Sequence, residues 1–304
     1  MSAIRANFAD ELDPAIRKIF FDEYDAEPEM MPKVFNILTS DRDTETDSAT
    51  TGFGRLVQTS ELGALDYEDP LKMYKTTYSF LKYTKGFKVS QELLEDDQHN
   101  IISQMPRALA KAVVYTTEDI GADIFNNGFT STATSYGDGE ELFSTSHDRV
   151  DGGTAQSNAS STGITLGETN LETGRLAFED ALDDKGQIRN FTPNTILVGN
   201  DLRKTAVILT DSSLRPGTAN NDVNIYEGVF NVKVWKYITS TTAWFLLGND
   251  HKLNFFWRIR PEFKNDYNFD ADAALYKVRI RVAAGWSDWR NTWGSAGDGA
   301  AYSS

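Results

Sequence analysis

One long amphipathic stripe constrains the fold of this chain more than any other feature of its sequence. Mostly apolar side chains recur every three or four positions, at Ile101, Met105, Leu109, Ala112, Val113, Thr116, Ile120 and Ile124. This spacing predicts a single helix over residues 100–127. At 1.5 Å per residue the helix is roughly 40 Å long, which is more than a small domain usually houses.

Such a stripe needs an apolar cover, and the last part of the chain supplies one. Residues 254–260 and 275–282 alternate apolar and polar side chains, which predicts two paired strands. The second strand is predicted to pack on the helix through Val278, Ile280 and Val282. Its other face is basic and carries Lys277, Arg279 and Arg281.

The first fifty residues are acidic, with twelve Asp or Glu against five Lys or Arg. Apolar spacing between residues 4 and 20 predicts a helix that Pro14 breaks or begins. Pro28 and Pro32 are expected to end helical structure. Residues 39–52 are Asp, Thr, Ser and Glu with almost no apolar side chain, which predicts an exposed linker.

The middle of the chain predicts strands and helices in alternation. Residues 53–59 and 73–87 are expected to form a long hairpin with an acidic tip, which needs a partner surface because two polar strands are unstable alone. Residues 130–163 are expected to be a loop with one short strand at 142–147. Further helices are predicted at 171–182 and 201–209, and further strands at 194–199, 229–237 and 244–247.

The composition excludes several functional classes. A net charge of −15 disfavours a dedicated nucleic-acid reader, because an acidic chain is repelled by phosphate backbones. The chain has no cysteine and only three histidines, so thiol chemistry, disulfides and His-rich metal sites are excluded or hard to build. We see no apolar window long enough for a membrane helix and no signal peptide, and we expect a soluble protein.

Recognisable catalytic motifs are nearly absent, and we predict no catalytic, cofactor-binding or metal-binding residues. Ser146-His147-Asp148 has the residue types of a hydrolase triad, but sequence neighbours point in different directions, so His147 is expected to anchor a loop. Candidate carboxylate pairs for glycoside hydrolysis or cation binding are Asp96-Asp97, Glu140-Glu141 and Asp183-Asp184, although adjacent acids at turns are more often solvated or capping.

Three tryptophans, Trp286, Trp289 and Trp293, lie at spacings of three and four near the end of the chain. They suit either a sugar-stacking platform or packing inside the protein, and we favour packing. The different-class alternative is therefore a carboxylate-dependent, sugar-binding hydrolase.

Five phrases of the sequence occur in an informative order: residues 47–54, 83–97, 142–147, 193–198 and 276–290. The third reads Leu142-Phe143-Ser144-Thr145-Ser146-His147 and follows the long helix. In wording and order the chain resembles the major capsid (major head) proteins of tailed bacteriophages with the Hong Kong 97 fold, and most closely their Mu-like major head subunit group.

This resemblance implies an α+β fold of five segments. They are an N-terminal arm (1–48), an extended β-hairpin loop (49–88), a peripheral domain with the long spine helix (89–160), an axial domain (161–250), and return strands of the peripheral domain with the C-terminus (251–304).

The resemblance also implies a function without catalysis or cofactors. The chain is expected to self-assemble as hexamers and pentamers into the icosahedral head of a virion, in the host cytoplasm and without a membrane. The head encloses double-stranded DNA, which the subunit contacts non-specifically. A separate scaffolding protein and a portal are expected partners, and the acidic arm is expected to pair with the basic strands of a neighbour. An encapsulin-like nanocompartment shell is the alternative with the same fold.

Overall fold

The computed structural model describes residues 4–90, 92–93, 101–130, 136–215, 222–268 and 270–300. The helices are α1 (Ile4–Ala26), α2 (Met31–Val34), α3 (Ile101–Asn126), α4 (Glu168–Glu179) and α5 (Arg203–Asp211). The strands are β1 (Asn36–Thr39), β2 (Thr44–Thr50), β3 (Lys72–Ser79), β4 (Leu81–Ser90), β5 (Pro193–Val198), β6 (Asn231–Val234), β7 (Trp244–Gly248), β8 (Leu253–Asn268), β9 (Ala273–Trp286) and β10 (Thr292–Ser295).

The chain divides into two compact units, each built from three stretches of sequence. Unit 1 comprises Met1–Thr44, Ser79–Gly121 and Phe255–Ala284, and unit 2 comprises Glu45–Tyr78, Ala122–Asn254 and Gly285–Ser304. These boundaries differ from the expected segment boundaries after residues 48, 88, 160 and 250. The assignment of the five segments to capsid domains stays a prediction.

Unit 1 contains the predicted pairing of helix and sheet. Its four strands lie in the order β1-β8-β9-β4, and β4 runs antiparallel to β9 from Leu81 opposite Val282 to Ser90 opposite Ala273. The three predicted apolar residues of β9 are buried. Val113 of α3 lines the same cavity as Val278 and Ile280, which confirms that this helix and this sheet face each other.

The buried face of α3 differs in part from the predicted stripe. Leu109 and Val113 are buried as expected, but Met105 and Ile120 are only half-buried. Glu118 is buried instead, because its Oε1 accepts hydrogen bonds from the backbone N–H groups of Met30 and Met31 at 2.6 and 2.8 Å. Two such donors offset the cost of burying a carboxyl group, which apolar spacing alone does not reveal.

Four predictions for the first ninety residues are wrong. Helix α1 continues through Pro14, and Pro32 lies in the first turn of α2, where a proline needs no N–H partner. The expected linker contains β2, whose alternating threonines suit a strand and which pairs with β3. The expected strand at 53–59 has no regular structure. The hairpin is therefore formed by β2 and β3, on either side of a long loop.

Unit 2 is built on a sheet with the strand order β10-β7-β5-β6. Strand β5 is central: it runs parallel to β6 and antiparallel to β7, and both faces are buried, as its unbroken apolar run at residues 196–198 indicates. Helices α4 and α5 contribute Leu171, Phe178 and Ala206 to its core. The short strand expected at 142–147 is reduced to a single bridge between His147 and Gln156.

Candidate functional site

A buried polar cluster in unit 2 is centred on His147, which is 0% exposed. Its Nδ1 lies 2.7 Å from the Asp138 carboxylate, and its Nε2 lies 3.0 Å from Asn158 Oδ1. The Asn158 amide has a fixed orientation, because Oδ1 accepts from the Ser144 N–H and Nδ2 donates to the Leu142 carbonyl. Both ring nitrogens therefore contact oxygen atoms of the protein.

Trp289 and Arg290 extend this cluster. The Trp289 indole stacks on the His147 ring, with centroids 4.3 Å apart and planes 8° from parallel. Arg290 is buried, lies 4.8 Å from the Trp289 ring centroid and donates to Asp184 and Asp288 at 3.0 and 3.1 Å. Burial and these two carboxylates act in opposite directions, and the net effect raises the pKa of the Arg290 guanidinium.

The cluster does not have the geometry of the Ser146-His147-Asp148 triad. The acid that contacts His147 is Asp138, whereas Asp148 and Ser146 are exposed. Because both ring nitrogens contact protein acceptors, the imidazole is not placed to take a proton from a nucleophile. The structure places His147 as the anchor of its loop.

Asp183 and Asp184 have separate structural roles rather than forming one carboxylate pair. Asp183 Oδ1 accepts hydrogen bonds from the N–H groups of Lys185 and Gln187 within a turn. Asp184 is buried and forms an ion pair with Arg290. Turn formation and ion pairing account for both side chains.

The other acid pairs do not combine into a site either. Glu141 is buried while Glu140 is exposed, and Asp96-Asp97 lie outside the described residues. Among the residues that the structure describes, no group of three or more His, Asp and Glu side chains could hold a metal ion. In the same part of the chain, no helix has the length and apolar character that crossing a bilayer requires.

The three tryptophans are packed inside unit 2, each at most 4% exposed. Trp293 contacts Trp244 with ring centroids 4.9 Å apart, and Trp286 contacts Tyr136 at 5.1 Å. A sugar-stacking platform needs an exposed ring face, so that hypothesis is wrong and the packing interpretation is confirmed.

The loop between β2 and β3 exposes a set of large apolar side chains. Thr51 and Leu71 close its base through hydrogen bonds of 2.8 and 2.9 Å, and no helix or strand forms between them. The exposed side chains, from 63% to 102% accessible, are Phe53, Leu56, Val57, Leu62, Leu65 and Tyr67. Exposed apolar side chains gathered on one segment mark a protein interaction surface. We call residues 51–71 the apolar loop.

Polar contacts hold both limbs of the apolar loop to the rest of unit 2. Glu68 accepts from the Lys185 ammonium at 2.5 Å and from the Gly54 N–H at 2.6 Å, and these donors lower the pKa of its carboxyl group. Arg55 donates to Gln187 at 2.6 Å. The loop therefore has a defined course although it lacks secondary structure.

A basic face covers the side of the unit 1 sheet opposite the buried valines. Register places Lys82 beside Arg281, and the face further includes Lys88, Lys277 and Arg279. Within the chain, Glu262 binds Arg279 and Asp43 lies 3.3 Å from Arg281. The acidic arm thus contacts the basic strands of its own chain, both through this ion pair and through β1, which lies beside β8 in the sheet.

Sequence reasoning missed Glu118, Asn158 and Arg290. Arg290 had a usable signal, because a charged residue directly after Trp289 in an aromatic run is a candidate for a buried ion pair. Asn158 lies in a Ser- and Gly-rich stretch, and Glu118 lies among ordinary helix residues. The sequence around each therefore looks like that around a solvent-exposed residue.

A family model described as phage capsid protein matches residues 74–293. Among solved structures, a chain from Microbacterium phage Oxtober96 is 11% identical, has a TM-score of 0.55, and is covered over 91% of its length by 88% of this chain. The bacteriophage JBD30 capsid is 15% identical at a TM-score of 0.54, over 70% of this chain and 92% of that one. A virus-like particle from Pyrococcus furiosus is 9% identical at a TM-score of 0.52, over 93% of this chain and 98% of that one.

A comparison with curated protein sequences gives no match. At such low identities the solved structures establish the fold, and they confirm an α+β capsid fold of the Hong Kong 97 type. The family model, which spans well over half of the sequence, establishes more: this chain belongs to the phage capsid protein family, as a major capsid structural subunit of the virion.

Proposed function

We propose that this subunit assembles as hexamers and pentamers into the icosahedral head of a Mu-like tailed phage and encloses double-stranded DNA. The apolar loop carries the proposal. Leu56 and Leu62 are fully exposed in one chain, at 101% and 102%. Burying such a side chain against a neighbour is worth about 1.5 to 3 kcal/mol, and a shell repeats the contact in every subunit.

Charge supports contacts between different surfaces of neighbouring chains. The apolar loop carries Glu61, Asp66, Glu68 and Asp69 against one base, Arg55, whereas the basic face carries an excess of Lys and Arg. Opposite charges on two different surfaces favour head-to-tail contacts, which close into rings. Rings of this type are the hexamers and pentamers of the proposal.

We infer the remaining assignments from the family. Residues 89–160, with α3, and the return strands within 251–304 form the peripheral domain, and residues 161–250 form the axial domain. A separate scaffolding protein and a portal take part in assembly, which occurs in the host cytoplasm. The packaged DNA is contacted without sequence preference. The subunit catalyses no reaction.

A nanocompartment shell, which would enclose an enzyme instead of a genome, is the second candidate. It is favoured by the similarity to the Pyrococcus furiosus virus-like particle, which extends over 93% of this chain and 98% of that one.

Negative-stain microscopy of the purified full chain tests assembly, and a nuclease-protection assay of the particles tests their content. Uniform closed shells are the expected result, and a Leu56→Ser/Leu62→Ser variant should form few. A chain that stays monomeric at every concentration and salt level, with scaffolding protein present, overturns the proposal. Nuclease-resistant DNA identifies a phage head, and a protein cargo without DNA identifies a nanocompartment.

A further inference from the structure

Glu29 has a carboxyl group that its surroundings leave incompletely hydrogen-bonded. It lies in the short segment between α1 and α2, and its Oε1 is buried with no hydrogen-bond partner among the described residues. The side chain otherwise interacts with the Tyr24 hydroxyl. A buried carboxylate oxygen without a donor is costly, whereas a protonated carboxyl group has a hydrogen to donate.

Glu118 of α3 is the neighbouring carboxyl group. It is 3% exposed, and its Oε1 accepts from the N–H groups of Met30 and Met31, the two residues that follow Glu29. The start of α2 is therefore attached to α3 through a carboxyl group that lies close to Glu29. Two like charges in one buried site are unfavourable.

Four groups face Glu29: Tyr24 and Asp25 from α1, Glu118 from α3 and Arg260 from β8. Burial raises the pKa of Glu29, and the charge of Glu118 raises it further, while Tyr24 and Arg260 act in the opposite direction with smaller effect. One arginine against two acids does not neutralise the site.

We infer that the neutral form of Glu29 stabilises the joint between α1 and α2, residues 27–30, and that losing the proton of this carboxyl group loosens the joint. The arm is thereby a pH-sensitive element: the joint at residues 27–30 is more stable in acid and opens more often at higher pH. Because the folded form binds the proton more strongly than the unfolded form, the stabilisation is complete below the ordinary glutamate pKa and is lost as pH rises through the raised one. The inference concerns the free subunit and stands whether or not a shell forms.

The test compares full-length wild type with two variants, Glu29→Gln and Asp22→Asn. Asp22→Asn is the control, because it removes an exposed charge from α1. Thermal midpoints and hydrogen exchange of residues 27–34 are measured from pH 5 to pH 8. Between pH 5 and pH 8, the thermal midpoint of Glu29→Gln should rise by about 3 °C relative to that of wild type. Its hydrogen exchange, after correction for the intrinsic rates, should be independent of pH. Asp22→Asn should follow wild type.

Parallel curves for wild type and Glu29→Gln overturn the inference. Glu118→Gln is a second, independent variant, since it keeps the acceptor oxygen and removes the like charge. It should move the wild-type exchange transition to lower pH, because Glu29 then ionises more readily. An unchanged transition in this variant also overturns the inference, even if Glu29→Gln fails to fold.

Discussion

His147 and Asp138 form a buried pair whose side chains are 0% and 2% exposed. Replacing His147 with Ala removes the hydrogen-bond partner of the buried Asp138 carboxylate. We expect a loss of about 3 to 5 kcal/mol in the free energy of unfolding, measured by urea denaturation. Ser146→Ala is the control, because this neighbouring side chain is exposed. An unchanged stability in His147→Ala would show that the ring does not anchor its loop.

Leu109 tests the apolar contact between α3 and the unit 1 sheet. It is 6% exposed, so Leu109→Ala should cost about 2 to 5 kcal/mol and lower both the thermal midpoint and the yield of soluble subunit. Leu176→Ala is a matched control on α4, where the leucine is 46% exposed and truncation should change little. Equal stability of the two variants would contradict burial of Leu109.

At the scale of single residues, apolar burial was predictable and polar burial was not. Val278 and Ile280 followed from alternation, since a half-buried strand shows its pattern locally. Glu118 binds residues 30 and 31, and Asp138, His147 and Asn158 meet only because the chain returns. No local pattern encodes partners that far apart.

The apolar loop is expected to contribute to assembly but not to the stability of the free subunit. Leu56→Ser/Leu62→Ser should change the free energy of unfolding of the free subunit by no more than about 0.5 kcal/mol, because both side chains are already in water. The same variant should raise the concentration needed for assembly, followed by light scattering. Leu176→Ser controls for losing an exposed leucine elsewhere. Normal assembly by the loop variant would exclude the loop as a contact.

The tip of this loop, residues 61–69, should also report assembly directly. In the free subunit its backbone lacks strand hydrogen bonds, so amide exchange should be fast, and burial against a neighbour should slow it in the shell. Hydrogen exchange on both states measures the difference. Equal protection in both would place the tip outside the contacts.

At the scale of elements, α3 was predictable because 26 residues repeat one periodicity. The first strand of the hairpin was placed wrongly because β2 is polar, so hydrophobic alternation gave no sign of it. The apolar residues at 53–57 suggested a strand, yet they serve an exposed loop.

The whole molecule carries a net charge of −15, so free subunits repel one another. This repulsion acts over about 30 Å at 0.01 M salt and over only about 10 Å at 0.1 M salt, because salt screens it, whereas apolar contacts persist. Assembly should therefore be faster at 0.3 M than at 0.01 M salt, as measured by light scattering. Slower assembly at high salt would mean that ion pairs between chains dominate instead.

For the molecule as a whole, the family was recognisable from five phrases, but the division into units was not. Each unit combines three separate stretches, and boundaries such as the one after Gly121 fall inside a continuous helix. Composition does not change at such a point, so the sequence offers no linker to read.

The register of β4 has a consequence for how the protein is made. Leu81 pairs with Val282, two hundred residues later, and β9 separates β4 from the rest of its sheet. At about 5 to 20 residues per second, a ribosome needs roughly 10 to 40 s to deliver that partner. During this interval β4 has no neighbour in its sheet, and the apolar face of α3 lacks the cover that β9 provides. A growing chain of this protein is therefore a natural client for chaperones until its last strands emerge.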